Sequence, residues 1–336
     1  MRPSDREESV KNALPDRNNT TCKALFAVAA IALVGILLCA VVYFSRGIFS
    51  PFQKESFRSG MESGRKVPSP IRTRSFYHFV EVRTASELIH RLKQYDIWSV
   101  KPHSSIPPVI FNRIPEELST YQTDLRKKIF LHTLLPAAMI VHSEVEHEKK
   151  YLAQILAKYD APLQSITFDP EIDGWQGVLE QDEFLFIELT TKKYRTTKAS
   201  LLLNRVDTIP VSLMLAQGAL ESSWGTSRFV KEANNLFGIC TWKEEGVIPE
   251  MREDGKYHKV ASYPSLIDSV RAYCLTLNRI GAYVEFRNAR KKTKDPFLLV
   301  EKLYKYSERG SVYIDELKQV LKVNNLQMYD TCSLKR

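Results

Sequence analysis

The chain is poor in cysteine and has no cysteine-rich motif. Its five cysteines are Cys22, Cys39, Cys240, Cys274 and Cys332. None forms a Cys-x-x-Cys pair, which argues against a structural zinc site. Cys22 and Cys39 lie at or inside an apolar stretch. The other three leave two readings open, one disulfide in an oxidising compartment or buried free thiols. The chain also lacks any run of five basic residues and any RNP-like strand. Nucleic acid is therefore not expected as a partner. No internal repeat is present. His142 and His147 flank Glu144 and Glu146, but the spacing is not His-Glu-x-x-His. Residues five apart point to different faces of a helix, so this is read as a solvated helix face with no metal site.

What the chain does have is length, charge and one long apolar run. Its 336 residues, 44% hydrophobic and 26% charged, suit one large domain or two small ones. The net charge of +9 points to an anionic partner, and a membrane surface or an acidic polymer both qualify. Residues 24–45 contain an uncharged run from Ala24 to Phe44, bracketed by Lys23 and Arg46. About 20 such residues span a bilayer core as a helix. Its length and the Arg46, Phe49, Pro51 and Phe52 that follow favour an uncleaved signal-anchor over a cleaved signal peptide. Basic residues are balanced on the two sides, so charge does not set the orientation.

The expected organisation is a short tail at 1–23, placed in the cytoplasm, a single transmembrane helix at 24–45 and a flexible tether at 46–75. A helical extension at 76–190 and a catalytic domain at 191–330 complete it. Ser86–Tyr95 is predicted as a short helix, and Lys101–Pro115 as irregular or extended. Leu125–Tyr159 is predicted as a long helix bent or broken at Pro136. Ile129–Val141 is too short to span a membrane and is expected in the core.

The chemistry concentrates after Thr208. Thr208 is placed as the cap of a helix with Pro210 in its first turn. Ile209, Leu213, Ala216 and Leu220 recur at helical spacing, and the helix should end between Ser222 and Gly225. Glu221 then lies in its last turn. The partial negative charge at a helix C-terminus disfavours a carboxylate, and Trp224 and Phe237 offer an apolar wall that does the same. A carboxyl group that keeps its proton near neutral pH is what a glycosidase acid requires. An exposed glutamate at a helix end is the plainer alternative.

Residues 216–225, Ala-Gln-Gly-Ala-Leu-Glu-Ser-Ser-Trp-Gly, are followed by Asn-Asn-Leu-Phe-Gly-Ile at 234–239. Together they resemble the glucosaminidase family of peptidoglycan hydrolases, and within it a membrane-anchored member. Residues 112–118, 130–136, 205–210, 225–229 and 306–310 extend the resemblance over roughly 105–325. The resemblance implies a mainly α (α+β) fold, with a lysozyme-like helical domain and a small β-hairpin lobe. It implies that Glu221 is the general acid and that peptidoglycan glycan strands are the substrate, cut after N-acetylglucosamine. It places the catalytic part at the periplasmic or wall side of a bacterial inner membrane. A muramidase or lytic transglycosylase on the same scaffold, or an inactive wall-binding protein, are the competing readings. Acid–base hydrolysis at a sugar needs no cofactor.

A second carboxylate is expected on the hairpin at 246–263, whose Asp254-Gly255 is a turn signal. Glu250, Glu253 and Asp254 are the candidates, with Glu253 favoured and Glu250 also placed among substrate-binding residues. Tyr283 stands where the family has a cleft tyrosine and is a further catalytic candidate. Trp224 is either core or sugar platform. Asn235 is a candidate sugar ligand, whereas Asn234 is placed in a turn. Phe237 is expected under the cleft. Tyr306 and Glu308 either line the cleft or belong to a turn at Gly310. Ser265–Ile280 is predicted as an amphipathic helix burying Leu266, Val270, Tyr273, Leu277 and Ile280, with Ser265 and Asp268 as an approximate capping box. Asp295-Pro296 should open another helix.

Overall fold

The computed structural model describes residues 77–159, 161–168, 179–241, 246–248 and 259–335. The anchor expected at 24–45, the tether at 46–75 and the hairpin tip with Glu250, Glu253 and Asp254 lie outside them. Among the described residues no helix is long and apolar enough to cross a membrane.

The fold is mainly helical, with short strands. Strand β1 is His78–Val80. Helix α1, Ala85–Gln94, is capped by Thr84, whose hydroxyl accepts from the Glu87 N–H. The Pro-rich segment is extended, as its composition requires, and contains β2 (Ser105–Ile106) and β3 (Val109–Phe111). Strands β1 and β3 pair in parallel. Helix α2 runs unbroken from Thr123 to Leu156 with Pro136 inside it, so of the expected bend or break the break does not occur. Pro136 is buried in the core, where packing against neighbouring helices offsets its missing N–H.

Four helices follow in order: α3 (Gln181–Tyr194), α4 (Ala199–Arg205), α5 (Val211–Glu221) and α6 (Arg228–Ala233). Strands β4 (Cys240–Thr241) and β5 (Lys259–Val260) pair antiparallel; β5 lies within the hairpin expected at 246–263, where Val247 also bridges to Val260, and β4 precedes that segment. Helix α7 (Leu266–Arg279) precedes α8 (Val284–Arg290), α9 (Pro296–Val300) and α10 (Ser311–Val323). Strand β6 (Ser333–Leu334) returns to pair in parallel with β2.

Helix α2 serves two cores. Its first half, through Val141, packs into the main cluster with α5, α7 and α10. Leu152, Ile155 and Leu156 near its other end join a smaller cluster with Phe186, Ile187 and Leu202. Helix α5 is buried all round from Val211 to Ala219, which is the pattern of a central helix rather than an amphipathic surface one. In α7 the expected stripe is buried except at Ile280, which lies just past the helix end and is 43% exposed. Cys240, Cys274 and Cys332 are free thiols, so no disulfide joins them.

The N-terminal end of α5 is fixed by distant parts of the chain. Its N-cap is Pro210, with no side-chain cap, so Thr208 does not serve in that role. Asp330 takes the work instead: its carboxylate accepts from the Ser212 N–H at 2.9 Å and from the Ser212 hydroxyl. A carboxylate at a helix N-terminus also complements the positive end of the helix dipole. Just before the helix, buried Asp207 pairs with Arg290 at 3.4 Å, Lys149 at 2.8 Å and Lys294 at 3.0 Å. Burial opposes ionisation of Asp207, but Arg290 and the two lysines outweigh it and hold its carboxyl below the usual range.

Candidate active site

Glu221 is the final residue of α5, so its backbone position is set by a helix buried on all sides. The chain then leaves the helix through three successive left-handed residues, Ser223, Trp224 and Gly225, with φ of 51°, 60° and 79°. That path is costly for Ser and Trp and is held by tertiary contacts. Ser222 adds a local bond, its hydroxyl accepting from the Gly225 N–H at 2.8 Å. Gly225 is also required sterically, because a Cβ there would lie 2.9 Å from both Ile114 Cδ1 and Phe130 Cδ2.

The Asn-Asn-Leu-Phe-Gly segment brings a second wall. Asn234 is left-handed at φ 51° and ends α6. The side chain of Asn235 is buried and committed to this turn: its amide donates to Ile239 O (2.9 Å) and Ala261 O (2.8 Å). Its oxygen accepts from the N–H groups of Phe237 and Ile239. Asn235 therefore ties the loop to the foot of the β4–β5 hairpin. Ala261 N–H adds a bond to Ile239 O at 2.9 Å, and Val247 bridges to Val260. The loop ends on exposed Gly238 at φ 64°, where a Cβ would lie 3.5 Å from Glu221 Oε2. Glycine satisfies the backbone there and keeps that side of the carboxyl uncrowded.

The remaining wall is aromatic. Phe237 stacks on Tyr273 at 4.2 Å between centroids, and Tyr306 stacks on Tyr313 at 5.9 Å. Tyr283 and Tyr306 are 6.0 Å apart. The Tyr306 hydroxyl donates to Phe237 O at 2.9 Å, closing the ring of contacts. Tyr273, Tyr283, Tyr306 and Tyr313 all lie within electrostatic reach of Glu221. Burial pushes the Tyr283 phenol up to about 12, with the Glu221 charge adding to it. Each of these phenols is thus a neutral hydrogen-bonding group near pH 7.

Burial also raises the Glu221 pKa above its usual value, and the Glu316 charge adds slightly. A hydrogen bond with Tyr313 and the Arg309 charge oppose the rise without cancelling it. Glu221 Oε1 is buried without a hydrogen-bond partner among the described residues. Such an environment favours the neutral acid over the carboxylate.

The residues anticipated from sequence distribute as follows. Glu221, Phe237, Tyr283 and Tyr306 come together. Trp224 turns toward α2, edge-on to Phe130 at 6.0 Å and beneath the Lys127 ammonium at 4.9 Å. Glu308 is exposed in the segment before α10. Sequence reasoning passed over Gln217 and Tyr313 and took Tyr273 for core alone. Gln217 had a usable signal, standing four residues before Glu221 on the same helix face. Tyr313 had none in its local sequence.

The comparisons with known proteins fall on the same region. The family described as mannosyl-glycoprotein endo-beta-N-acetylglucosaminidase, the glucosaminidase family, matches residues 196–326. Protein bax of Escherichia coli (strain K12) is 29% identical over 202 residues, which cover 56% of this chain and 66% of that protein. The chain thus spans just under two thirds of that relative's length. The catalytic domain of the autolysin Auto from Listeria monocytogenes aligns with 21% identity and a TM-score of 0.31, covering 48% of this chain and 99% of that domain. That score is too low to argue from. The matched span 196–326 contains Glu221, its aromatic surround and the foot of the hairpin, and over that span the chain is similar to the glucosaminidase family.

Proposed function

We propose that this protein hydrolyses the glycan of bacterial peptidoglycan, cutting the β-1,4 bond after N-acetylglucosamine with Glu221 as general acid. The observation that carries this reading is the environment of one carboxyl group. It ends a fully buried helix, is desolvated, and has its pKa raised by that burial. In the reaction the Glu221 proton passes to the glycosidic oxygen as the bond to the anomeric carbon breaks. The bonding pair leaves with that oxygen, and water completes the sugar.

The partner carboxylate is proposed on the hairpin, with Glu253 first and Glu250 and Asp254 as alternatives. The foot of that hairpin is hydrogen-bonded through Asn235 to the loop that ends at Gly238, beside Glu221. Separations of roughly 5 Å or roughly 6.5–9.5 Å from Glu221 correspond to retention or inversion. Tyr283 is proposed to hydrogen-bond the reacting sugar, and Tyr306, through its bond to Phe237 O, to hold the cleft floor. The domain is proposed to be lysozyme-like, tethered to the inner membrane by residues 24–45 and facing the wall.

The test is digestion of purified peptidoglycan followed by product analysis. New reducing ends should be N-acetylglucosamine. Anhydro-muramic ends would contradict the proposed bond and favour a lytic transglycosylase.

A further inference from the structure

A pocket lies between the first turns of α2 and the segment that follows α10, and it shares no residue with the site around Glu221. Lys127, Lys128, His132, Asn324 and Tyr329 line it, together with Asp124. Among the described residues each ammonium sits over an indole rather than against a carboxylate: Lys127 is 4.9 Å from the ring centre of Trp224, and Lys128 is 4.3 Å from that of Trp98. Such a contact fixes a cation without neutralising it. His132 and Tyr329 are buried, with His132 Nε2 and the Tyr329 hydroxyl bonded at 3.1 Å. His132 Nδ1 is buried without a partner among the described residues, which is uncommon for a polar atom that serves packing alone. Burial, with the Lys128 charge adding to it, lowers the His132 pKa to about 4, so its ring is neutral near pH 7. Asn324 uses its amide nitrogen on Val320 O at 2.8 Å, which leaves its carbonyl oxygen as an acceptor. The pocket thus sets two positive charges beside two acceptors, Asn324 and Asp124.

We propose that this pocket binds a carboxylate on the peptides attached to the wall glycan. This deepens the proposed function and rests on peptidoglycan being the substrate. Lys127 and Lys128 supply charge-assisted donors to the carboxylate. The Asn324 oxygen and the Asp124 carboxylate accept from amide N–H groups of the same peptide. That mixture selects against a compact, multiply charged phosphate, which Asp124 would repel and which offers the acceptors no donor. A single carboxylate at the end of an amide chain suits both kinds of group. The net charge of +9 favours the same sign of ligand. One side chain also joins the pocket to the turn after Glu221: Lys127 lies over Trp224, three residues past Glu221. A glycan strand held by its peptide at Lys127 is therefore held against the residue through which the chain leaves the Glu221 helix.

The experiment titrates acetyl-D-alanyl-D-alanine, a sugar-free peptide with one carboxylate, into the full chain. Binding is read by calorimetry and by tryptophan fluorescence, since Trp98 and Trp224 lie under the two lysines. Parallel titrations use the C-terminal amide of the same peptide and inorganic phosphate. The proteins are wild type, Lys127→Met and Lys128→Met, which keep an apolar stem on each indole and remove the charge. The carboxylate peptide should bind wild type, and about tenfold more weakly in each variant, the scale of one hydrogen bond to a charged group. The amide should lose at least as much on wild type, an arm that stands even if a variant fails to fold. No binding up to about 10 mM, equal affinity for acid and amide, or unchanged affinity in both variants would overturn the inference. Phosphate binding more tightly than the peptide would overturn the assignment to a peptide carboxylate. Glu221→Gln should bind the peptide as wild type does, so the titration stands apart from catalysis. A Glu221→Gln variant that still digests wall sinks the proposed function, whereas an active wild type that binds no peptide sinks this inference alone.

Discussion

At the scale of single residues, the account turns on what surrounds one carboxyl group. Burial raises the Glu221 pKa, and the Tyr313 hydrogen bond and the Arg309 charge pull the other way. On the proposed function the acid form protonates the leaving oxygen, so kcat/KM should fall as pH rises through this raised pKa. A pH profile measured on soluble glycan fragments checks the sign: a limb that rises with pH in that range would assign Glu221 a different role. Asn235 makes a separate prediction. Its side chain joins Ile239 and Ala261 across the hairpin foot while buried. Asn235→Ala leaves those backbone groups unpaired and should cost about 2–4 kcal/mol, read from denaturant unfolding. A sugar ligand with no structural role would instead change KM and leave stability alone.

At the scale of elements, α5 is the part that must be placed, and its N-terminal end is held from far away. Asp330, 118 residues beyond Ser212, supplies the cap. Asp330→Ala should cost about 0.5–2 kcal/mol, measured by thermal unfolding. The extent of α5 itself was legible: apolar spacing and Pro210 marked its start, and the Ser-Ser-Trp-Gly run marked its end. Helices α1, α7 and α9 were legible for the same reason, since caps and 3.6-residue periodicity are local. The cap from Asp330 and the phenol from Tyr313 were not, because both reach Glu221's helix through tertiary packing that leaves no local trace. The sequence around Pro136 suggested a bend or a break for a related reason. Local chemistry penalises a proline inside a helix, while the surrounding core that tolerates it is assembled from distant segments. The family motif made Glu221, Phe237 and Tyr306 legible by resemblance, and the buried Asn235 amide shows how a motif residue can hold the loop that positions the others.

At the scale of the whole molecule, the upstream helices and the matched domain share one core. Helix α2 packs with α5, α7 and α10, so the segment before residue 191 contributes directly to holding the helix that bears Glu221. The Asp207 cluster adds an electrostatic tie across the same region, joining α2 through Lys149, α8 through Arg290 and the start of α9 through Lys294. Arg290 is fully buried there, so Asp207→Asn should cost about 3 kcal/mol by leaving its charge underpaired. Because the folded-state pKa of Asp207 is depressed, its contribution is present above the ordinary Asp value of about 3.9 and is lost as pH falls through the folded value. Acid unfolding of wild type should show that loss and Asp207→Asn should not, a difference visible in stability measured against pH. The central claim, that this assembly exists to present a protonated Glu221 to a glycan, is tested most directly by comparing wild type with Glu221→Gln on purified peptidoglycan. The account predicts release of reducing-end N-acetylglucosamine by the wild type and a fall of roughly 10²–10⁴-fold in the variant with its fold intact; equal activity in the two proteins would contradict it.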